Sequence, residues 1–226
     1  MPHLFHRFLI TLCLLIPVAL AQEKVPQVLF LGDQVHVTIV QAAAKELGGK
    51  VRIHFPPVGS ANDSGTALAK IDSLLGETKW DIIYFNFGIG DLFYKDPATR
   101  EIRIMTKDAG GVRVSTPEEY EKNLDALVQR LKTTDAKLIW GSTTPMAKAN
   151  NLFDANSEIE YNTIAASVMA KHKVPVLDLH GHVMAQFKAE DKHPPYAQYA
   201  KELEKRGQPL HAPLVRALQS VMLERK

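Results

Sequence analysis

Residues 28–47 read Val-Leu-Phe-Leu-Gly-Asp-Gln-Val-His-Val-Thr-Ile-Val-Gln-Ala-Ala-Ala-Lys-Glu-Leu. A four-residue apolar run, a glycine corner and an amphipathic stretch make one strand–turn–helix unit, with a buried strand over 28–31 and a helix over 35–47. The same alternation recurs downstream. Val51 to Phe55, Asp81 to Phe87, Lys137 to Trp140 and Val174 to Leu179 read as further buried strands. Thr66 to Leu75, Thr116 to Lys132, Glu158 to His172 and Pro213 to Leu223 read as helices between and after them. Five strands alternating with five helices predict an α/β chain, a three-layer α/β/α sandwich around a mostly parallel five-stranded sheet of flavodoxin-like layout.

The third of these helices has the clearest start. Thr116-Pro117-Glu118-Glu119 offers a capping hydroxyl, a proline at the first helical position and a capping-box glutamate. Two segments interrupt the alternation. Near 100–115, Ile102-Arg103-Ile104 and Val112-Arg113-Val114 flank Lys107-Asp108-Ala109-Gly110-Gly111, which predicts a surface hairpin at the rim of a pocket. Near 189–208, a stretch rich in Lys, Glu, Pro and Tyr predicts a loop with one short helix.

Met1 to Ala21 has the plan of a secretory signal peptide: Arg7, an apolar run from Phe8 to Leu20, and the small-residue ending Ala19-Leu20-Ala21. Pro17 interrupts a run shorter than the roughly 20 residues that span a bilayer. Cleavage after Ala21 and a secreted or periplasmic location are expected, with residues 22–226 forming one domain and no membrane association after processing. The only cysteine, Cys13, lies in the removed segment. Disulfides, thiolate metal sites and a cysteine nucleophile are therefore excluded from the mature chain. A formal charge of +2 with interspersed signs carries no nucleic-acid footprint.

In an open parallel sheet, ligands bind beyond the carboxyl ends of the strands. Four loops at such positions stand out: Gly32-Asp33-Gln34, the stretch from Pro56 to Gly65, Asn86 to Asp91, and Gly207 to His211. Together they resemble the four sequence blocks of the SGNH/GDSL hydrolases. Three further stretches, Lys79 to Gly88, Pro117 to Leu124 and Lys137 to Pro145, resemble one bacterial branch of that family, so the likeness spans the whole mature chain.

What the resemblance implies is ester or acyl hydrolysis, often of acetylated carbohydrate, by a serine with a histidine base, an orienting aspartate and oxyanion donors. Carried over position by position, the corner matches at Gly32 and Asp33 but has Gln34 where the family has its nucleophile. The third block matches at Gly88 and Asp91 but has Gly90 in place of the oxyanion asparagine. His211 matches the base, while Gln208 stands where the orienting aspartate belongs. Gly59 or Asn62 takes the place of the second-block glycine. For Asp33 and Asp91 the resemblance implies structural hydrogen bonding.

An amide is essentially non-nucleophilic, and loss of a triad nucleophile alone costs on the order of a million-fold in a serine hydrolase. Two functions stay open at this point: a catalytically impaired, ligand-binding protein that takes a small molecule or carbohydrate, and an active ester hydrolase with a rearranged site around His211. No cofactor is implied.

Other candidates have plainer explanations. Ser60, Ser64, Ser142, Thr143 and Thr144 could face the pocket, yet none has a base beside it in sequence, and turn or cap hydroxyls are commoner. Asp178, His180 and His182 would share one side of an extended segment and could hold a metal with Asp191 or His193. A strand ending at Asp178 with histidines on a surface turn is the simpler expectation, and no metal site is assigned. Trp80 and Trp140 read as core, Tyr196 and Tyr199 as rim residues.

Overall fold

The computed structural model describes residues 24–99, 102–146, 151–187 and 196–224, with side chains of 196–198 excepted. The expected signal peptide, Asp191 and His193 lie outside the described residues. In chain order the elements are β1 (Gln27–Leu31), α1 (Gln34–Leu47), β2 (Arg52–His54), α2 (Ser64–Leu75), β3 (Ile82–Phe85), α3 (Ile89–Leu92), β4 (Tyr94–Lys95), β5 (Val112–Arg113), α4 (Pro117–Lys132), β6 (Lys137–Gly141), α5 (Ser157–His172), β7 (Val176–Leu177), α6 (Leu179–Met184), α7 (Tyr196–Lys205) and α8 (Ala212–Leu223).

Five strands form one parallel sheet in the order β2-β1-β3-β6-β7, in register through pairs such as Leu29 with Ile83 and Tyr84 with Ile139. Side chains alternate between its faces because the strand period is two. Leu31, Phe85 and Trp140 pack under α2, α4 and α5, while Val28, Phe30, Tyr84 and Ile139 pack under α1, α6, α7 and α8. The expected three-layer sandwich is the structure. Among the described residues no helix is long and apolar enough to cross a membrane.

Local signals explain the element ends. Asp33 caps α1 by accepting from Val35 N at 2.8 Å and His36 N at 3.0 Å, and Gly48 closes that helix in the left-handed region at φ 57°. The capping box of α4 forms as its sequence announces, Thr116 and Glu119 bonding reciprocally. Strand order reverses between β1 and β3, so their carboxyl ends open the crevice where such sheets bind ligands.

The segment near 100–115 departs from expectation. Its two alternating runs do not pair with each other; both use the strand before them. Met105 N donates to Tyr94 O at 3.0 Å on one side, and Val114 N donates to Phe93 O at 2.8 Å on the other. A 3-10 turn over Lys107–Ala109 joins them. The sequence hides this because Tyr94-Lys95 is a two-residue strand with no alternation of its own. The strand expected over 174–179 also shortens to Val176–Leu177, since Asp178 caps α6 by accepting from Gly181 N at 2.8 Å.

Candidate functional site

The crevice at the ends of β1 and β3 is a cavity of about 870 Å³. It gathers Asp33, Gln34, Gly59, Asn62 and Gly90, five of the ten positions singled out by sequence. Gln34 opens α1 and is exposed. Among its described lining there is neither a histidine nor a serine.

Glycine is required at the corners of this site by packing. A Cβ at Gly90 would sit 2.0 Å from the carbonyl oxygen of Asn62, and one at Gly88 would sit 1.9 Å from Thr143 Oγ1. At Gly32 a Cβ would meet the Phe30 ring at 2.8 Å and Asn86 O at 2.9 Å. The second and third loops thus lie too close for an asparagine at position 90.

Asp91 is fully buried and does not line the cavity. Its carboxylate accepts from Ser64 N at 3.0 Å and from the hydroxyls of Ser64 and Ser115, both at 2.6 Å. It therefore ties the start of α2 to the approach to α4. Burial pushes its pKa up to about 7 against the lowering effect of the hydroxyl donors.

His211 stands away from the corner. Its Nε2 lies 2.9 Å from Glu46 Oε2. Glu46 is in the last turn of α1, and 12 residues of helix rise place it about 18 Å from Gln34. The far end of α8 is held likewise, Lys137 at the start of β6 pairing with Glu224. Helix α8 is thus tied at both ends to the amino-terminal side of the sheet. Gln208 is exposed, and its backbone carbonyl accepts from the His182 ring at 3.2 Å. The spacing Gln208 to His211 does not bring these side chains to Gln34.

Beneath the corner lies a cluster the sequence did not reveal. His36, on the apolar face of α1, is 0% exposed, with Nδ1 3.5 Å from Asp33 Oδ1 and its ring beside that of Tyr84. Both ring nitrogens of His36, Asp33 Oδ2 and the Tyr84 hydroxyl are buried without a protein hydrogen-bond partner. Burial, and then the charge of Asp33, raises the Tyr84 pKa, so the phenol stays protonated. The signal was a histidine three residues after a capping aspartate, on the face that a strand tyrosine must meet.

The remaining candidates are engaged elsewhere. Ser60 donates to Pro57 O at 2.6 Å, Ser142 to Asp178 Oδ1 at 3.2 Å, and Thr143 and Thr144 are buried. His180 faces Glu158 at 3.8 Å while His182 turns to Gln208, so Asp178, His180 and His182 do not converge. Among the described residues no group of three or more metal-ligating side chains forms. Trp80 and Trp140 are core residues as expected. Tyr199 corrects the sequence reading: it is 1% exposed and packs with α1 and α8 instead of lining a rim. The Tyr196 side chain is outside the described set.

The fold is similar to that of solved esterases. The acetyl xylan esterase AlAXEase aligns at 14% identity over 80% of this chain and 98% of its own, with a TM-score of 0.57. The acetylxylan esterase Axe2 from Geobacillus stearothermophilus aligns at 17% over 87% and 93%, TM-score 0.56. A GDSL-like lipase from Bacteroides thetaiotaomicron aligns at 13% over 80% and 87%, TM-score 0.52. No protein-family model and no curated protein sequence matches the chain. The likeness establishes an SGNH/GDSL hydrolase-like fold.

Proposed function

We propose that this chain is an exported, catalytically impaired relative of the SGNH hydrolases that binds a small molecule, a carbohydrate or its acyl ester, in the crevice where such enzymes do chemistry. One observation carries the proposal: Gln34, which the family resemblance aligns with the nucleophile, lines the cavity, while His211 is paired with Glu46 at the opposite end of the same helix. An amide cannot attack a carbonyl, and a base about a helix length away cannot activate anything at the corner. What persists is a concave, partly apolar site within the roughly 300–1,000 Å³ range of small-molecule pockets.

Hydrolysis through His211 is the competing reading, and the Glu46 carboxylate that orients the imidazole is its one support. The purified mature protein, given p-nitrophenyl acetate and acetylated xylo-oligosaccharides beside a His211→Ala variant, separates the two. Background rates in both proteins fit the binding reading. Turnover that disappears with His211 overturns it. Mass analysis of the exported protein tests cleavage after Ala21; an intact Met1 to Ala21 segment would count against export by this signal.

A further inference from the structure

The wall of the cavity that comes from the segment near 100–115 is held from behind by one carboxylate. Ile104 bridges to Lys95 on one side of β4, and β5 pairs with β4 on the other, so the segment is a small antiparallel sheet centred on β4. Ile102 and Ile104, with Phe93 just ahead of β4, line the cavity. Asp154 is not in the described lining; it lies in the loop that precedes α5.

Three donors of this small sheet converge on Asp154. The Tyr94 hydroxyl donates to Oδ2 at 2.6 Å, Arg113 Nη2 donates to the same oxygen at 2.9 Å, and Lys107 Nζ donates to Oδ1 at 2.9 Å. They come from β4, from β5 and from the 3-10 turn, so each part of the segment is tied to one side chain. The same loop adds backbone and ring contacts. Leu152 O accepts from Tyr94 N at 2.9 Å, Asn151 O accepts from Lys107 N at 2.8 Å, and the Phe153 ring meets that of Phe93 edge-on at 5.8 Å. Residues 151–154 are therefore a second layer behind the cavity wall.

Charge makes Asp154 the decisive member of that layer. It answers two cations, whereas Glu160, 3.6 Å from Arg113, is more than half exposed. The Arg113 side chain is only 22% exposed, so salt and solvent screen the cluster only in part. The hydrogen bonds from Lys107, and then from Tyr94 and Arg113, hold the Asp154 carboxyl well below the usual carboxylate range, so its charge is present throughout the neutral range.

We propose that Asp154 is a positioning residue of the cavity: it fixes where Ile102, Ile104 and Phe93 stand, and so which ligand fits, without touching the ligand. The consequence for ligand selection rests on the binding function proposed above, while the fixing of the wall does not.

Residues 22–226 contain no cysteine, so spin labels on Ile104→Cys and Ala69→Cys, both in the lining, report the wall through the distance between them. With Asp154 in place the distance distribution should be single and narrow. Asp154→Asn should broaden it and speed amide exchange at Tyr94 and Lys107 at least ~10-fold, with amides of β1 and β3 within about two-fold. Arg113→Gln should act in the same direction, and its combination with Asp154→Asn should add little, because both changes break the same pair. An unchanged distance distribution in Asp154→Asn, or exchange that quickens equally in β1 and β3, would overturn the proposal, since Asp154 would then contribute only to overall stability. Should Asp154→Asn not fold, Lys107→Met, which removes one of the three donors, decides by the same two readouts. Neither readout uses a ligand or turnover. Hydrolysis of p-nitrophenyl acetate by residues 22–226 would overturn the binding function and leave the fixing of the wall standing, so the two failures are distinguishable.

Discussion

His211 Nε2 lies 2.9 Å from Glu46 Oε2, and Glu46 stands in the last turn of the helix that Gln34 begins. A catalytic base must come within hydrogen-bond reach of its nucleophile, directly or through one water. A serine placed at position 34 is therefore left without a base. Gln34→Ser is expected to hydrolyse p-nitrophenyl acetate within about two-fold of the unaltered protein, far below the hundred-fold or more that general-base assistance supplies. A gain of that larger size would show that α8 can bring His211 to the corner.

Gly90 allows a sharper test of the same loss. Its Cβ position lies 2.0 Å from Asn62 O, backbone that cannot swing away as a side chain could. Gly90→Ala should cost about 1–3 kcal/mol in urea denaturation, the range for overpacking, and Gly90→Asn at least as much. An asparagine tolerated at no cost would mean that the second loop relaxes easily and that position 90 has room for a side-chain donor.

Asp91 predicts a pH dependence with a definite sign. Its pKa is about 7 folded, because of burial, and about 3.9 unfolded. Between these values the native state holds a proton that the unfolded chain has released, so stability falls as pH rises from about 4 to about 7. The contribution is fully present below pH ~4 and gone above pH ~7. Melting temperatures across that window should decline for the unaltered protein, and Asp91→Asn should flatten the curve. Parallel slopes in the two proteins would remove Asp91 as the source.

The cluster beneath the corner buries the Tyr84 hydroxyl, both ring nitrogens of His36 and Asp33 Oδ2 without a protein hydrogen-bond partner. Leaving a polar atom buried and unpaired costs about 1–3 kcal/mol. Tyr84→Phe, which removes one such atom and keeps the ring, is therefore expected to leave stability unchanged or to raise it by about 1 kcal/mol in urea denaturation. A loss of stability of that size would mean that the phenol is hydrogen-bonded.

The fold was legible because its signals are local. The capping residues Thr116 and Glu119, and the alternation of Leu29, Phe30 and Leu31 between two helix layers, depend on neighbours within a few residues. Even the crevice was partly readable, since strand ends bring Gln34, Asn62 and Gly90 together once the sheet is parallel. His211 lies outside the cavity lining for the opposite reason. Its spacing from Gln208 fixes a place along the chain, whereas its place in space depends on the path of α8, set by contacts with Glu46 and at Lys137 far off in sequence. Tyr199 misled likewise: a polar-looking segment turned its aromatic inward against α1 and α8. Ile102 and Ile104 carried their message openly as alternating apolar residues, but their pairing with Tyr94-Lys95 aimed them at the cavity.

Steady-state hydrolysis of p-nitrophenyl acetate by residues 22–226, beside the His211→Ala variant, decides whether the cavity is retained without ester hydrolysis. Both rates should equal the uncatalysed rate. Turnover near the ~10 s⁻¹ of a median enzyme, abolished by His211→Ala, would contradict it.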